Sequence, residues 1–175
     1  MKKVGILALQ GSFAEHAKIL EQLSQKYIFV RSKQDLENIT HLIIPGGEST
    51  TLEKLLWEFD MWGHLKNKKL NIFGTCAGAI LCQKLGLDIE IERNAYGAQQ
   101  ASFIAELDSK IFKKLQGVFI RAPKFKVQNK KIKILAHYKQ APVLVQQNNF
   151  LVASFHPELR KDTRVHAFFL TLNSD

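Results

Sequence analysis

Gly74-Thr75-Cys76-Ala77-Gly78 constrains this chain more than any other stretch, because of what stands on either side of it. Before it runs Leu70-Asn71-Ile72-Phe73, and after it Ala79-Ile80-Leu81-Cys82, leading on to Leu85. A short apolar strand that turns sharply into a helix, with a nucleophile at the apex, is the nucleophile-elbow pattern, here with Cys in place of Ser. Gly suits the strained backbone of such a turn, and small neighbours leave room for a substrate. The helix that follows brings free N–H groups and the positive end of its dipole to the sulfur, which favours the reactive thiolate.

The first half of the chain alternates strand and helix in the same manner. Strands are expected at Val4–Leu9, Tyr27–Val30, His41–Ile44 and Leu70–Phe73, and helices at Ser12–Gln25, Thr50–Phe59 and Ala77–Leu85. That alternation argues α/β: a mostly parallel central sheet flanked by helices, three layers in one domain spanning residues 1–175. An active site is then expected at the carboxyl ends of the strands, where Gly47 and Cys76 both fall. The second half reads as strands at Leu87–Glu92, Phe103–Leu107, Val118–Ile120, Ile132–Tyr138, Val143–Gln147 and Phe150–Phe155, closed by a helix over Thr163–Leu172 capped by Asp162.

A thiolate needs a general base, and the base needs a group to orient it. His156-Pro157-Glu158 follows an apolar run near the end of the chain; in extended backbone residues two apart point the same way, so Glu158 can reach the imidazole of His156. Pro45-Gly46-Gly47-Glu48-Ser49-Thr50 follows Leu42-Ile43-Ile44. Adjacent glycines there let backbone N–H groups approach a ligand, one half of an oxyanion hole with the N–H of Ala77 as the other. An ordinary strand-to-helix turn with Ser49 as the cap reads equally from the same residues.

The net charge of +9 invites a nucleic-acid reading, but it is concentrated. Between Asp108 and Gln140 stand ten Lys or Arg and one acid, which leaves the rest of the chain neutral on balance. Lys124-Phe125-Lys126 through Lys133 reads as an exposed loop and strand edge, a solvated face or a docking surface for a protein partner. No nucleic-acid module pattern is present. No run approaches the roughly 18 apolar residues of a membrane helix. Met1-Lys2-Lys3 begins a first strand rather than a signal peptide. Cys76 and Cys82 are too few for a disulfide scaffold and project to different faces, so no bridge is expected and a reduced cytoplasm suits the thiol.

Six blocks in order resemble the class I, triad-type glutamine amidotransferases, and within them the branch formed by the glutaminase subunits of pyridoxal 5′-phosphate synthase. They are Gly5-Ile6-Leu7-Ala8-Leu9-Gln10-Gly11 with Glu15-His16, Pro45 to Thr51, Phe73 to Gly78, Glu92-Arg93-Asn94 with Gly97 and Gln99, Gly117 to Pro123, and Ser154 to Leu159. The resemblance implies that Cys76 attacks the side-chain amide of L-glutamine, releasing ammonia and leaving a thioester that water hydrolyses to glutamate. His156 would shuttle protons, Glu158 would orient it, and Gly47 and Ala77 would supply oxyanion N–H groups. Gly47, Glu48, Ser49, Arg93, Ile120 and Arg121 would line the glutamine pocket, Gln10 and Gly11 would sense docking, and the partner would be the synthase subunit that consumes the ammonia. A zwitterionic substrate fits an anion such as Glu48 and cations such as the two arginines. Neither cofactor nor metal is implied. Two features depart from the branch: Ala98 stands where it carries Arg, and the connection from the elbow helix to Arg93 is short. Two other readings remain open here, an elbow-cysteine hydrolase or redox protein without use for Glu158, and a non-catalytic module acting through the basic face.

Overall fold

A computed structural model describes residues 2–93, 95 and 102–173. The strands of its main sheet are β1 (Val4–Leu7), β2 (Tyr27–Val30), β3 (His41–Ile44), β4 (Asn71–Thr75), β9 (Lys133–Tyr138), β10 (Ala141–Gln147) and β11 (Phe150–Ala153). They lie in the order β2-β1-β3-β4-β11-β10-β9. The first five are mutually parallel; β10 and β9 continue antiparallel at one edge.

The inner parallel strands β1, β3 and β4 are buried on both faces, as strands covered on both sides are, while the edge strand β2 leaves Ile28 exposed. Successive residues serve opposite layers. Ile43, Phe73 and Leu151 pack with Ala17 and Leu20 of α1 (Phe13–Gln22) and with Val165 and Phe169 of α6 (Arg164–Phe169). Leu42, Ile44, Ile72 and Val152 pack with α2 (Lys33–Glu37), α3 (Ser49–Glu58), α4 (Trp62–Asn67) and α5 (Ala77–Lys84) through Leu36, Leu52, Leu65 and Leu81. Two short antiparallel pairs lie outside the sheet: β5 (Glu90–Glu92) with β8 (Lys124–Lys126), and β6 (Ser102–Glu106) with β7 (Gln116–Ile120). Among the described residues no helix is long and apolar enough to cross a membrane.

Several expected elements are shorter or differently held. The helix from Ser12 begins at Phe13 and stops at Gln22, because Ser24 adopts a left-handed conformation (φ 52°). The strand expected over Leu87–Glu92 pairs only from Glu90. Before that its backbone is bonded by side chains: Asp88 N–H donates to Gln147 Oε1 at 2.8 Å, and Gln83 Nε2 donates to the Ile89 carbonyl at 2.9 Å. The last helix covers Arg164–Phe169 rather than Thr163–Leu172. Asp162 does accept the Arg164 N–H at 3.0 Å, from the residue before the formal cap Thr163.

Lys124-Phe125-Lys126, expected as loop and edge, is a strand. Its register sets Lys126 opposite Glu90 and Lys124 opposite Glu92, with Lys126 Nζ at 3.2 Å from Glu90 and 3.7 Å from Glu92, and buries Phe125 between them. These exposed ion pairs add little stability; the alternation of charge and aromatic is what fixes the face.

Candidate active site

Cys76 and His156 are 80 residues apart and become neighbours through one strand pairing. β4 and β11 run side by side in parallel, with Thr75 opposite Ala153, and the Cys76 N–H donates to the Ala153 carbonyl at 2.8 Å. The residue that ends one strand therefore faces the segment that follows the other. On the opposite flank β3 pairs with β4, with Ile44 opposite Gly74, and that brings Gly46-Gly47 to the same end of the sheet. The loop after β1 adds Gln10, Gly11 and Ser12 there: the Ser12 N–H donates to the Gly46 carbonyl at 3.0 Å.

The strain at the elbow belongs to Cys76 itself, with φ 49° and ψ −108°. The flanking glycines serve a different need from the one read in the sequence. A Cβ at Gly78 would strike the Ile44 carbonyl, and one at Gly74 would lie 2.6 Å from the Cys82 sulfur. They permit helix and strand to approach, while Cys76 carries an uncommon conformation costing about 1–3 kcal/mol.

His156 and Glu158 also meet by a route other than extended backbone. His156 precedes a 3-10 turn, Pro157–Leu159, which folds Glu158 back so that His156 Nδ1 donates to Oε1 at 2.7 Å. With Nδ1 so engaged, the other ring nitrogen is left to exchange a proton with Cys76, one of the groups that raise the imidazole pKa. The His156 N–H is anchored on the Val118 carbonyl at 2.8 Å. Burial pulls the imidazole pKa down, but hydrogen bonds with Cys76 and Glu158 and their charges outweigh it and lift it to about 10. Burial pushes the Glu158 carboxyl up, yet its neighbours hold it at about 2. A charged His16 would be the strongest of these. His16 is itself wholly buried, which lowers its own pKa and leaves it neutral. The hydrogen bonds from His156 and from Ser12, whose Oγ lies 2.7 Å from Oε1, are therefore what keep Glu158 ionised.

The other anticipated residues fall at varying distance from this centre. Gly46 stands against it: a Cβ there would lie 2.5 Å from His156 Cε1 and 3.2 Å from Cys76 Cβ. Gly47 abuts Gln10, whose Oε1 accepts the Glu48 N–H at 3.0 Å. Glu48, rather than Ser49, caps α3, its carboxylate accepting the Thr50 N–H at 3.1 Å and the Thr51 N–H and Oγ1 at 2.6 Å. The hydroxyl and N–H donors of Thr51 foremost hold its pKa at about 2, so the group stays anionic. Ser49 is buried at the first position of that helix. Ala77 opens α5 directly after Cys76.

The Ile120 carbonyl sits 3.8 Å from the Cys76 sulfur. Arg121 follows it with φ 45°, and Arg121 and Arg93 are both exposed. Asn94, Gly97, Ala98 and Gln99 lie outside the described residues. Cys82 has no exposed surface and Cys76 keeps 8 %, so only the elbow sulfur can be reached; both thiols are free. Among the described residues no group of three His, Cys, Asp or Glu side chains is placed to hold a metal ion.

Sequence reasoning passed over Ser12 and Thr75. Thr75 Oγ1 accepts the Gly46 N–H at 3.1 Å and so ties the glycine loop to the strand that leads into Cys76. The available signal was position: each is the polar residue at the carboxyl end of a parallel strand or just beyond it.

Residues 6–173 match the family model described as the SNO glutamine amidotransferase family. The chain is 44% identical to the pyridoxal 5′-phosphate synthase subunit PdxT of Thermosipho africanus over 184 residues, covering 97% of this chain and 98% of that protein. It is 44% identical to the subunit of the same name from Francisella tularensis subsp. holarctica over 178 residues, covering 98% and 99%. A crystal structure of a glutamine amidotransferase superimposes with a TM-score of 0.90 at 42% identity, covering 95% of this chain and 96% of that one. A glutamine amidotransferase from Thermotoga maritima shares the fold, with a TM-score of 0.62 at 15% identity and coverage of 90% and 76%.

Proposed function

The chain belongs to the SNO glutamine amidotransferase family, and from that premise we propose that it is a glutaminase that hydrolyses L-glutamine and hands the ammonia to a pyridoxal 5′-phosphate synthase subunit. The observation that carries this reading is the meeting of Cys76 with the hydrogen-bonded pair His156–Glu158 at the carboxyl end of a parallel sheet, with the ring nitrogen next to the carboxylate already committed. The elbow-cysteine alternatives have no use for that third member.

In the proposed reaction the Cys76 sulfur attacks the amide carbon while His156 holds the proton. The tetrahedral oxyanion is met by the N–H groups of Gly47 and Ala77. His156 then gives its proton to the departing nitrogen, ammonia leaves and a γ-glutamyl thioester remains. Water, losing a proton to His156, attacks the thioester carbon; glutamate leaves and the thiol is restored. Glu158 keeps the imidazole in the tautomer that serves both steps. Gly47, Glu48, Ser49, Arg93, Ile120 and Arg121 form the glutamine pocket, Glu48 supplying a permanent negative charge for the ammonium group and the two exposed arginines positive charge for the carboxylate.

Residues 1–175 act as one glutaminase domain, and the ammonia it releases, mostly protonated at neutral pH, is lost unless it is passed on directly. A synthase partner follows chemically. The Gln10 carbonyl oxygen that holds the Glu48 N–H gives a docked partner a handle on the oxyanion loop, and the basic 108–140 segment offers it a charged face. The cytoplasm is the compartment proposed for a reactive thiol. The test is glutamate release from glutamine with and without the synthase subunit: weak activity alone and more with the partner. Folded protein with an intact Cys76 that releases none under either condition defeats the reading.

A further inference from the structure

Behind the triad lies a buried group of polar residues with no part in the steps above. His16 of α1 and His166 of α6 are both wholly buried, with His16 Nδ1 2.8 Å from His166 Nε2 and their ring centroids 5.1 Å apart. Phe73 stands edge-on to both, at 6.2 and 5.3 Å. His16 Nε2 lies 3.2 Å from Thr75 Oγ1 and 3.7 Å from Glu158 Oε2. That oxygen is buried and accepts no hydrogen bond, whereas its twin Oε1 takes two.

The hydrogen count fixes the tautomers. Burial keeps both rings neutral, lowering His166 to about 3, so each carries one N–H. Across the 2.8 Å contact one ring donates and the other accepts. Were His16 the donor through Nδ1, its Nε2 lone pair would face a carboxylate oxygen, and His166 would bury its hydrogen on Nδ1, which has no partner. With His166 donating through Nε2, His16 carries its hydrogen on Nε2, directed at Thr75 and Glu158. Only the second arrangement avoids opposing a lone pair to an anion.

We propose that His16, held as its Nε2–H tautomer by His166, is a positioning residue that steadies the Glu158 carboxylate through its otherwise unpartnered oxygen and so fixes the plane in which Glu158 orients His156. This rests on the glutaminase reading above. A carboxylate bonded on one oxygen alone can turn about its last torsion; an N–H facing the second oxygen at 3.7 Å, beyond hydrogen-bond length, opposes that turn electrostatically. The same His16 N–H meets Thr75 Oγ1, which also accepts the Gly46 N–H, so carboxylate, elbow strand and glycine loop share one hub. The other ionisable groups acting on the pair are His156, Glu15 on α1, and Asp162 ahead of α6.

The test has a part that needs no turnover. Ring-nitrogen NMR of the wild-type protein should find hydrogen on Nε2 of both His16 and His166; hydrogen on His16 Nδ1 overturns the proposal. In the complete complex with the synthase subunit, His16→Leu should lower kcat about tenfold, the scale of a sub-ångström misplacement, with KM changed by less than about twofold. His16→Gln, whose amide nitrogen reaches toward the position of Nε2, should recover most of that loss. Equal losses in both variants, or an unchanged kcat in His16→Leu, assign the pair to packing and overturn it. Should His16→Leu fail to fold, His16→Gln and the wild-type NMR still decide. A wild-type protein that releases no glutamate counts against the glutaminase reading and leaves the tautomer result standing by itself.

Discussion

Replacing Gly46 by alanine tests whether the glycine loop sets the distance between imidazole and sulfur. The added methyl would lie 2.5 Å from His156 Cε1, 3.1 Å from Nδ1 and 3.2 Å from Cys76 Cβ. Carbon atoms settle at about 3.5 Å or more, so roughly 1 Å of overlap must be relieved. The loop cannot easily give: its Gly46 N–H is bound to Thr75 Oγ1 at 3.1 Å and its carbonyl takes the Ser12 N–H at 3.0 Å. The ring is the part that moves. A misplacement of about 1 Å in a catalytic group costs about a hundredfold, equivalent to about 2.7 kcal/mol of barrier. The assay is kcat for glutamate release at saturating glutamine with the synthase subunit present, read beside thermal unfolding. Gly63→Ala is the control: a Cβ there meets nothing within 4 Å, inside α4. It should leave activity unchanged and stabilise the helix by about 0.5–1 kcal/mol. A Gly46→Ala enzyme that melts normally and keeps kcat within roughly threefold of wild type, far from the hundredfold that a 1 Å shift implies, would refute the reasoning.

Cys76→Ala removes one of the two hydrogen-bonding partners that raise His156, so the imidazole titration followed by NMR should fall from about 10. Because the folded pKa is raised, the associated stability is complete below the ordinary 6.5 and disappears as pH climbs toward 10; the margin of wild type over the variant should narrow across that window in denaturant titrations. Glu158 runs the other way, its contribution being present above the ordinary 4.5 and lost as pH falls through about 2. Acid unfolding of Glu158→Gln should accordingly be flatter than wild type over that interval. Iodoacetamide should place one adduct on the folded protein, at Cys76. Cys82, fully enclosed and with burial holding its thiol pKa far above the ordinary value, should react only in denaturant, as peptide mass spectrometry would register.

How much of this was legible depended on whether the signal was local. Tyr27–Val30 and His41–Ile44 stand where their apolar runs put them: β3, buried on both faces, advertises itself in four consecutive residues, and the edge strand β2 is equally apolar although it leaves Ile28 exposed. The elbow was equally plain. The helix α2 was missed although Ser32 and Asp35 form a reciprocal capping box that the sequence carries openly; at five residues it had no apolar periodicity to draw notice. Strand β8 was hidden for a different reason. Lys124 and Lys126 are paired by Glu90 and Glu92, some 35 residues away, and only that pairing turns a run of lysines into a strand face. Glu158 was correctly joined to His156 by the wrong geometry, since a spacing of two serves an extended chain and a 3-10 turn alike. The Ser12 contact had no local signature, for it depends on the loop after β1 meeting a turn 146 residues later.

The backbone contacts around Cys76 explain why an uncommon conformation persists there. Its N–H is held by β11, its carbonyl by Ala79 at 3.1 Å in the first turn of α5, and the residue before it by the glycine loop and His16. A side chain at Gly11 would collide with the Gly46 carbonyl, and one at Gly78 with the Ile44 carbonyl, so three strand ends interlock through main chain alone. Side chains relax after substitution; interlocked backbones do so far less. The sulfur is therefore set by the sheet. What remains adjustable is the far side, where the Ile120 carbonyl approaches the sulfur and Ile120, Arg121 and Arg93 stand exposed. An influence that changes reactivity without disturbing the fold has that side and the Gln10–Glu48 contact to act on, since neither requires the pairing of β3, β4 and β11 to break.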